Sequence, residues 1–171
     1  MKIAIIGCGY VGTAVAKFWS QKGHKMIITT TTPERVSELQ NITQQVVVMK
    51  GNDSNAMKDV LQNKEVVLLS VGDRYGTGYK QTYLETAETL LTALKKTPTV
   101  KQIIYTGSYS VYGDKNGEWV DENSSVTPAT EGGKILHETE QVLLSASTPQ
   151  QRVCILRLGG IYGPGRELVK I

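Results

Sequence analysis

Lys2-Ile3-Ala4-Ile5-Ile6-Gly7-Cys8-Gly9-Tyr10-Val11-Gly12 is a strand-length apolar run followed at once by the pattern G-x-G-x-x-G. Beyond it, Val11, Ala14, Val15, Phe18 and Trp19 fall at i, i+3, i+4, i+7 and i+8, the spacing of one apolar helix face, and Gly23 is placed to end that helix. Glycines between a strand and a helix have a physical use. The first permits the tight turn, the second lets backbone N–H groups approach a pyrophosphate, and the third lets strand and helix pack closely. Gly7, Gly9, Tyr10, Val11 and Gly12 are therefore the residues expected to touch a dinucleotide. Without a ligand the same pattern is a plain strand-to-helix turn, so its context decides.

Working outward, apolar runs recur at Lys25 to Thr29, Gln45 to Met49, Glu65 to Ser70, Gln102 to Thr106 and Arg152 to Leu158. They are continuous rather than alternating, as in Val46-Val47-Val48 and Val66-Val67-Leu68-Leu69, which predicts parallel strands covered on both faces. Between them the period is helical: Tyr83, Leu84, Ala87, Leu90, Leu91 and Leu94 precede Pro98, and Ile135, Leu136, Thr139, Val142 and Leu143 precede Pro149. Thr32-Pro33 reads as a cap with proline in the first turn, and Asp53-Ser54 offers caps for a shorter helix. Alternation of strand and helix throughout predicts right-handed βαβ units in an α/β doubly wound parallel sheet, a Rossmann fold, with residues 1–171 as one domain. One stretch breaks the rhythm. Gly113 to Thr127 is polar and without period, a long loop of the kind that is either functional or mobile.

The bulk composition narrows the function. A chain of 171 residues, 40% hydrophobic and 20% charged, is globular and near the size of one domain. Its net charge of +3 is scattered along the sequence, which argues against a nucleic-acid surface. No stretch approaches the ~20 apolar residues that span a bilayer, so no membrane partner and a cytoplasmic location are expected. Cys8 and Cys154 have no metal-ligand spacing and read as reduced, small apolar residues, with no metal expected.

The choice of dinucleotide turns on the end of the second strand, where an acidic side chain would bond the ribose 2′-hydroxyl. Here the sequence is Thr29-Thr30-Thr31-Thr32-Pro33-Glu34-Arg35. No acid stands at the strand end. The Thr30 hydroxyl can donate to a 2′-phosphate and Arg35 can pair with it, which favours NADP, while Glu34 folding back toward the ribose keeps NAD open. Asp53 either touches the adenine or caps the next helix, and Val71, after the fourth strand, is counted with the cofactor residues.

Tyr105-Thr106-Gly107-Ser108-Tyr109-Ser110-Val111-Tyr112-Gly113 resembles the fifth-strand motif of the extended short-chain dehydrogenase/reductases, the NAD-dependent epimerase/dehydratase family. Lys134-Ile135-Leu136-His137-Glu138 resembles that family's active-site lysine segment, and Leu156-Arg157-Leu158-Gly159-Gly160-Ile161-Tyr162-Gly163-Pro164-Gly165 its sixth-strand segment. The resemblance implies an oxidoreductase, epimerase or dehydratase acting on a sugar nucleotide or related carbonyl or hydroxyl compound. It places Ser108 on the reacting oxygen and Lys134 on the nicotinamide ribose, where a lysine also lowers the pKa of a tyrosine acid. A small-molecule substrate and a homodimer are the partners expected. The family continues beyond the Gly163-Pro164-Gly165 segment, so the chain is expected to be truncated and its C-terminal substrate lobe largely absent.

This sequence departs from the family at one position. Four residues before Lys134, where the resemblance implies tyrosine, stands Thr130. An alkyl hydroxyl is a far weaker acid than a phenol, so Thr130 can orient substrate or water but carries protons poorly. That opens an alternative, a non-catalytic dinucleotide-binding module that senses redox state. Gly132 and Gly133, each costing about 1 kcal/mol relative to alanine in a helix, predict either close backbone approach or a mobile helix start. Tyr109 and Tyr112 read as packing residues, with substitution for the missing phenol as the alternative; His137 reads as a solvated or capping residue, with a proton relay as the alternative. The loops Asp73 to Gly78 and Gly113 to Thr127 leave strand carboxyl ends and are candidates to line the substrate side, unless Trp119 only covers an apolar patch.

Overall fold

In the computed structural model, which describes residues 1–73 and 78–170, the apolar runs become β1 (Lys2–Ile6), β2 (Lys25–Thr30), β3 (Gln45–Val48), β4 (Val66–Leu69), β5 (Gln102–Ser108) and β6 (Arg152–Leu158). They pair in parallel in the order β3-β2-β1-β4-β5-β6. The helices are α1 (Tyr10–Gln21), α2 (Val36–Gln40), α3 (Ser54–Leu61), α4 (Thr86–Leu94, entered through a π-helical turn at Lys80–Glu85) and α5 (Glu131–Leu144). The chain winds outward from β1 to β3, then returns to β4 and winds the other way. Strand order therefore reverses between β1 and β4, and the crevice over their carboxyl ends is where such sheets bind ligands.

Period-two alternation along β1 splits the core. Ile3 and Ile5 pack with Ala16, Leu39, Val15 and Trp19 beneath α1 and α2. Ala4 and Ile6 pack with Met57, Leu61, Leu90 and Leu143 beneath α3, α4 and α5. Each fully buried large apolar side chain contributes about 1.5–3 kcal/mol, so these two layers hold the sheet edge that carries the glycine turn.

Two expectations need correction. The inward face of α1 is turned from the one its apolar spacing indicates: Gly12 and Ala16 are buried, whereas Ala14 is exposed and Phe18 is 55% exposed, with the Lys22 ammonium 5.5 Å from its ring centroid. The cause is Gly12. Its Cα abuts the Gly7 carbonyl so closely that a β-carbon would collide with that oxygen, and this contact, invisible to an apolar count, sets the helix rotation. Nor are all strands covered on both faces. At the sheet edges, Val48 of β3 and Cys154 and Leu156 of β6 are exposed, while Val153 and Ile155 pack inward, because nothing among the described residues covers the outer face there.

The two glycines in the first turn of α5 mark close approach. A β-carbon on Gly132 would lie 3.0 Å from Cε1 of Tyr79, and one on Gly133 would lie 3.0 Å from Cβ of Pro128. The loop from Gly113 to Thr127 has neither helix nor strand, yet it is pinned at several points. Tyr112 donates its hydroxyl to the Asp121 carbonyl at 2.7 Å, Thr127 N donates to the Val111 carbonyl, and Lys115 Nζ reaches Ser125 and Thr127.

Candidate functional site

The glycine turn sits at the reversal point, and its three glycines are required for different reasons. Gly7 has φ +89°, and a β-carbon there would come within 2.6 Å of the Ser70 carbonyl and 2.9 Å of the Val71 Cα at the end of β4. Gly12 closes on Gly7 as described. Gly9, by contrast, has φ −78°, is exposed, and would place a β-carbon in open space with nothing within 4 Å. The protein's own packing explains Gly7 and Gly12, but it gives no reason for Gly9. An approaching ligand does: Gly9 stands at the start of α1, where Tyr10 and half-buried Val11 begin the helix and its N–H groups favour an anion.

The end of β2 supports the turn. Gly7 N donates to the Thr29 hydroxyl at 3.0 Å and Cys8 N to the Thr29 carbonyl at 2.8 Å. Thr29 was not among the expected site residues, although its place at the strand end beside the first glycine was the available signal. Thr30 is buried, and its hydroxyl accepts from Thr32 N. Arg35 is no solvated residue: its guanidinium donates to the Cys8 carbonyl at 2.5 Å and the Thr13 hydroxyl at 3.2 Å, and it pairs with Glu38. It therefore lies against the turn. Asp53 caps α3, its carboxylate accepting from Asn55 N and Ala56 N, while the Cys8 thiol is pushed up in pKa chiefly by burial and stays protonated.

Across the crevice, Ser108 ends β5 and its hydroxyl accepts from Ser110 N, which leaves the hydroxyl hydrogen without an acceptor among the described residues. Thr130 is the N-cap of α5, with its hydroxyl accepting from Gly133 N at 3.0 Å. Lys134, one turn on, is 60% exposed and pairs with Glu131, an exposed ion pair of the kind worth at most about 1 kcal/mol and easily exchanged for a ligand. Tyr112 is buried as a packing residue should be, but Tyr109 is 58% exposed, against expectation, because the 3-10 turn at Tyr109–Tyr112 aims only its later residues inward.

Beneath this surface lies a polar cluster the sequence reading missed. Glu140 on α5 is fully buried and takes a bidentate pair from Arg157 of β6, at 3.0 Å from Nε and 2.8 Å from Nη2. The Arg157 guanidinium also covers the Tyr112 ring, 4.7 Å from its centroid, and the pair with Glu140 raises its pKa. His137 Nδ1 is 3.9 Å from Glu140 and has no hydrogen-bond partner among the described residues, so His137 lines this cluster rather than capping the helix. Of the two loops expected at the substrate side, residues 74–77 lie outside the described residues. Trp119 in the other loop is fully exposed, which overturns the reading that it covers an apolar patch.

A model of the NAD dependent epimerase/dehydratase family matches residues 3–170. No curated protein matches the sequence. Among solved structures, the chain is similar to UDP-glucose 4-epimerase from Bifidobacterium longum in complex with NAD+ and UDP, with 22% identity over 92% of this chain and 52% of that one and a TM-score of 0.78. It is similar also to UDP-glucuronic acid 4-epimerase from Bacillus cereus in complex with NAD, with 19% identity over 95% and 58% and a TM-score of 0.79. A third likeness is to the Bordetella bronchiseptica enzyme WbmH in complex with NAD+, with 19% identity over 98% and 58% and a TM-score of 0.81. At these identities the likeness is one of fold, and the chain spans a little over half the length of each.

Proposed function

The chain belongs to the NAD dependent epimerase/dehydratase family, and from that premise we propose that it binds a nicotinamide dinucleotide across the crevice over β1 and β4, NADP in preference to NAD. The observation that carries this is Gly9, a glycine in the helix mouth that the protein's own packing does not require and a pyrophosphate does. When bound, the cofactor supplies a hydride donor or acceptor. The chain's residues do the rest: the mouth of α1, from Gly9 to Gly12, offers its N–H groups to the pyrophosphate while Gly7 and Cys8 N–H tie the turn to Thr29, Val71 backs it, and Lys134 exchanges Glu131 for the nicotinamide ribose. Ser108 donates its free hydroxyl hydrogen to the reacting oxygen of a sugar nucleotide or a related carbonyl or hydroxyl compound. Titrating the purified chain with NADPH and NADH, followed by ligand fluorescence and melting temperature, tests the site directly. Binding of neither would withdraw it.

The preference for NADP rests on the absence of a carboxylate at Thr30 and on Arg35, which the Cys8 carbonyl and Thr13 hold beside the turn. Arg35→Ala is expected to weaken NADPH about tenfold more than NADH, the share of one charge-assisted contact to a 2′-phosphate. Equal loss for both cofactors would leave Arg35 only its role of bracing the turn.

A second reading, a binding module without turnover, is favoured by the engagement of Thr130 as a helix cap. Thr130→Tyr separates the two. Losing the cap should cost about 1 kcal/mol, or roughly 2–4 °C of melting temperature. If the site is otherwise a working scaffold, a phenol beside Lys134 should raise cofactor-linked turnover on a panel of sugar nucleotides by about a hundredfold, the low end for a positioned general acid. Stability lost with no gain in turnover would favour the binding module.

A further inference from the structure

Two arginines stand at the glycine turn, Arg35 against Cys8 and Thr13 and Arg166 over Tyr10, and only the first is used by the reading above. Tyr10, the first residue of α1, donates its hydroxyl to the Pro164 carbonyl at 3.1 Å, across 154 residues of sequence. The segment it meets is a tight reverse turn in which Gly163 and Arg166 exchange N–H to carbonyl bonds of 2.9 and 2.8 Å. Gly163 has φ +151°, and a β-carbon there would come within 2.7 Å of the Tyr10 hydroxyl, so the turn is shaped to fit this tyrosine. The result is that the Arg166 guanidinium lies over the Tyr10 ring, 4.7 Å from its centroid. Among the described residues it has no carboxylate partner, and the residue is exposed.

We propose that Arg166 is a ligand of the dinucleotide pyrophosphate, held at the helix mouth on the Tyr10 ring, as a second arginine at the glycine turn beside Arg35. The proposal rests on the dinucleotide reading. A guanidinium held over an aromatic ring makes no hydrogen bond to it through its N–H fork, and that fork matches two phosphate oxygens at once. Its platform follows Gly9 directly in sequence, next to the space that the pyrophosphate would fill. The stacking also limits the conformational freedom that an exposed arginine would otherwise lose on binding. The carbonyl of Pro164 and the exchange between Gly163 and Arg166 fix the turn, so the cation arrives with the fold rather than with the ligand.

The test compares the wild-type chain with Arg166→Ala and Arg166→Lys, titrated with NADPH and with ADP-ribose, which keeps the pyrophosphate and lacks the nicotinamide. Arg166→Ala should weaken both ligands by about tenfold to a hundredfold, the range for one charged hydrogen-bonding partner, with the melting temperature of the ligand-free protein little changed. Arg166→Lys should recover only part of the loss, because a point charge neither stacks nor bonds two oxygens. Unchanged affinity for ADP-ribose in Arg166→Ala, whatever happens to NADPH, would overturn the assignment and leave the arginine as a surface latch on Tyr10. A wild-type chain that binds neither ligand would sink the cofactor site itself and this proposal with it, a result distinct from normal wild-type binding that the variant retains.

Discussion

Gly9→Val is expected to abolish dinucleotide binding while the protein still folds. The packing leaves room for the substitution, since a β-carbon at Gly9 meets nothing within 4 Å. The cost to the apoprotein is that of a poor N-cap, about 1 kcal/mol, or roughly 2–4 °C of melting temperature. The cost to binding is of another order. An isopropyl group fills the volume in front of the helix mouth, and charged hydrogen bonds from backbone N–H groups to the pyrophosphate, each worth about 1.5–3 kcal/mol, are lost together. Affinity should fall by a hundredfold or more, about 2.7 kcal/mol at the least. NADPH fluorescence titration beside circular-dichroism melting separates the two effects. Gly12→Val is the contrasting control: its side chain collides with the Gly7 carbonyl, so it should unfold the protein rather than merely block the site. If Gly9→Val binds NADPH as the wild type does, the pyrophosphate lies elsewhere and the site assigned to the turn is wrong.

These two glycines also show how far the sequence could be read. The order strand, G-x-G-x-x-G, helix was legible because each glycine answers to a backbone requirement, and the six strands were legible because buried parallel strands are continuous apolar runs. The rotation of α1 was not, since a glycine in contact with a carbonyl contributes nothing to an apolar count, and Phe18 was drawn to the wrong face. The role of Thr29 was hidden for a different reason. Among Thr29, Thr30, Thr31 and Thr32 composition cannot say which hydroxyl turns toward Gly7, whereas strand alternation and the register of β1 with β2 decide it. Gly132 and Gly133 left two readings open, and only the positions of Tyr79 and Pro128 chose close packing over mobility. Glu140 does carry a signal in the sequence: it falls on the same helical face as Leu136 and Leu143, and an acidic residue within an apolar stripe asks for a buried partner. Arg157 stood in the sixth-strand motif, but 17 residues of sequence separate the two, and nothing local joins them.

That pair carries the second large effect. Arg157→Ala should destabilise the protein by about 3 kcal/mol, the low end for breaking a buried ion pair, because Glu140 is left charged and enclosed while Arg157 itself was 18% exposed. For a chain of this size the melting temperature should drop by roughly 6–12 °C. The damage should also spread in one direction. Arg157 covers the Tyr112 ring, and the Tyr112 hydroxyl holds the Asp121 carbonyl of the 113–127 loop, so the variant should be cut faster by protease within that loop than at β1 or α1. A double replacement, Glu140→Leu with Arg157→Met, tests whether the pair itself or the volume it fills supports the fold. Apolar side chains of similar size remove the enclosed charge along with its partner, and such exchanges are often neutral or stabilising. Recovery of the melting temperature in the double variant, with loop protection still reduced, would mean that the ion pair is retained for the position it gives Tyr112 and the 113–127 loop rather than for stability. Failure to recover would mean that the bidentate geometry, with its hydrogen bonds satisfied on both partners, is a net source of stability that an apolar core of the same size does not replace.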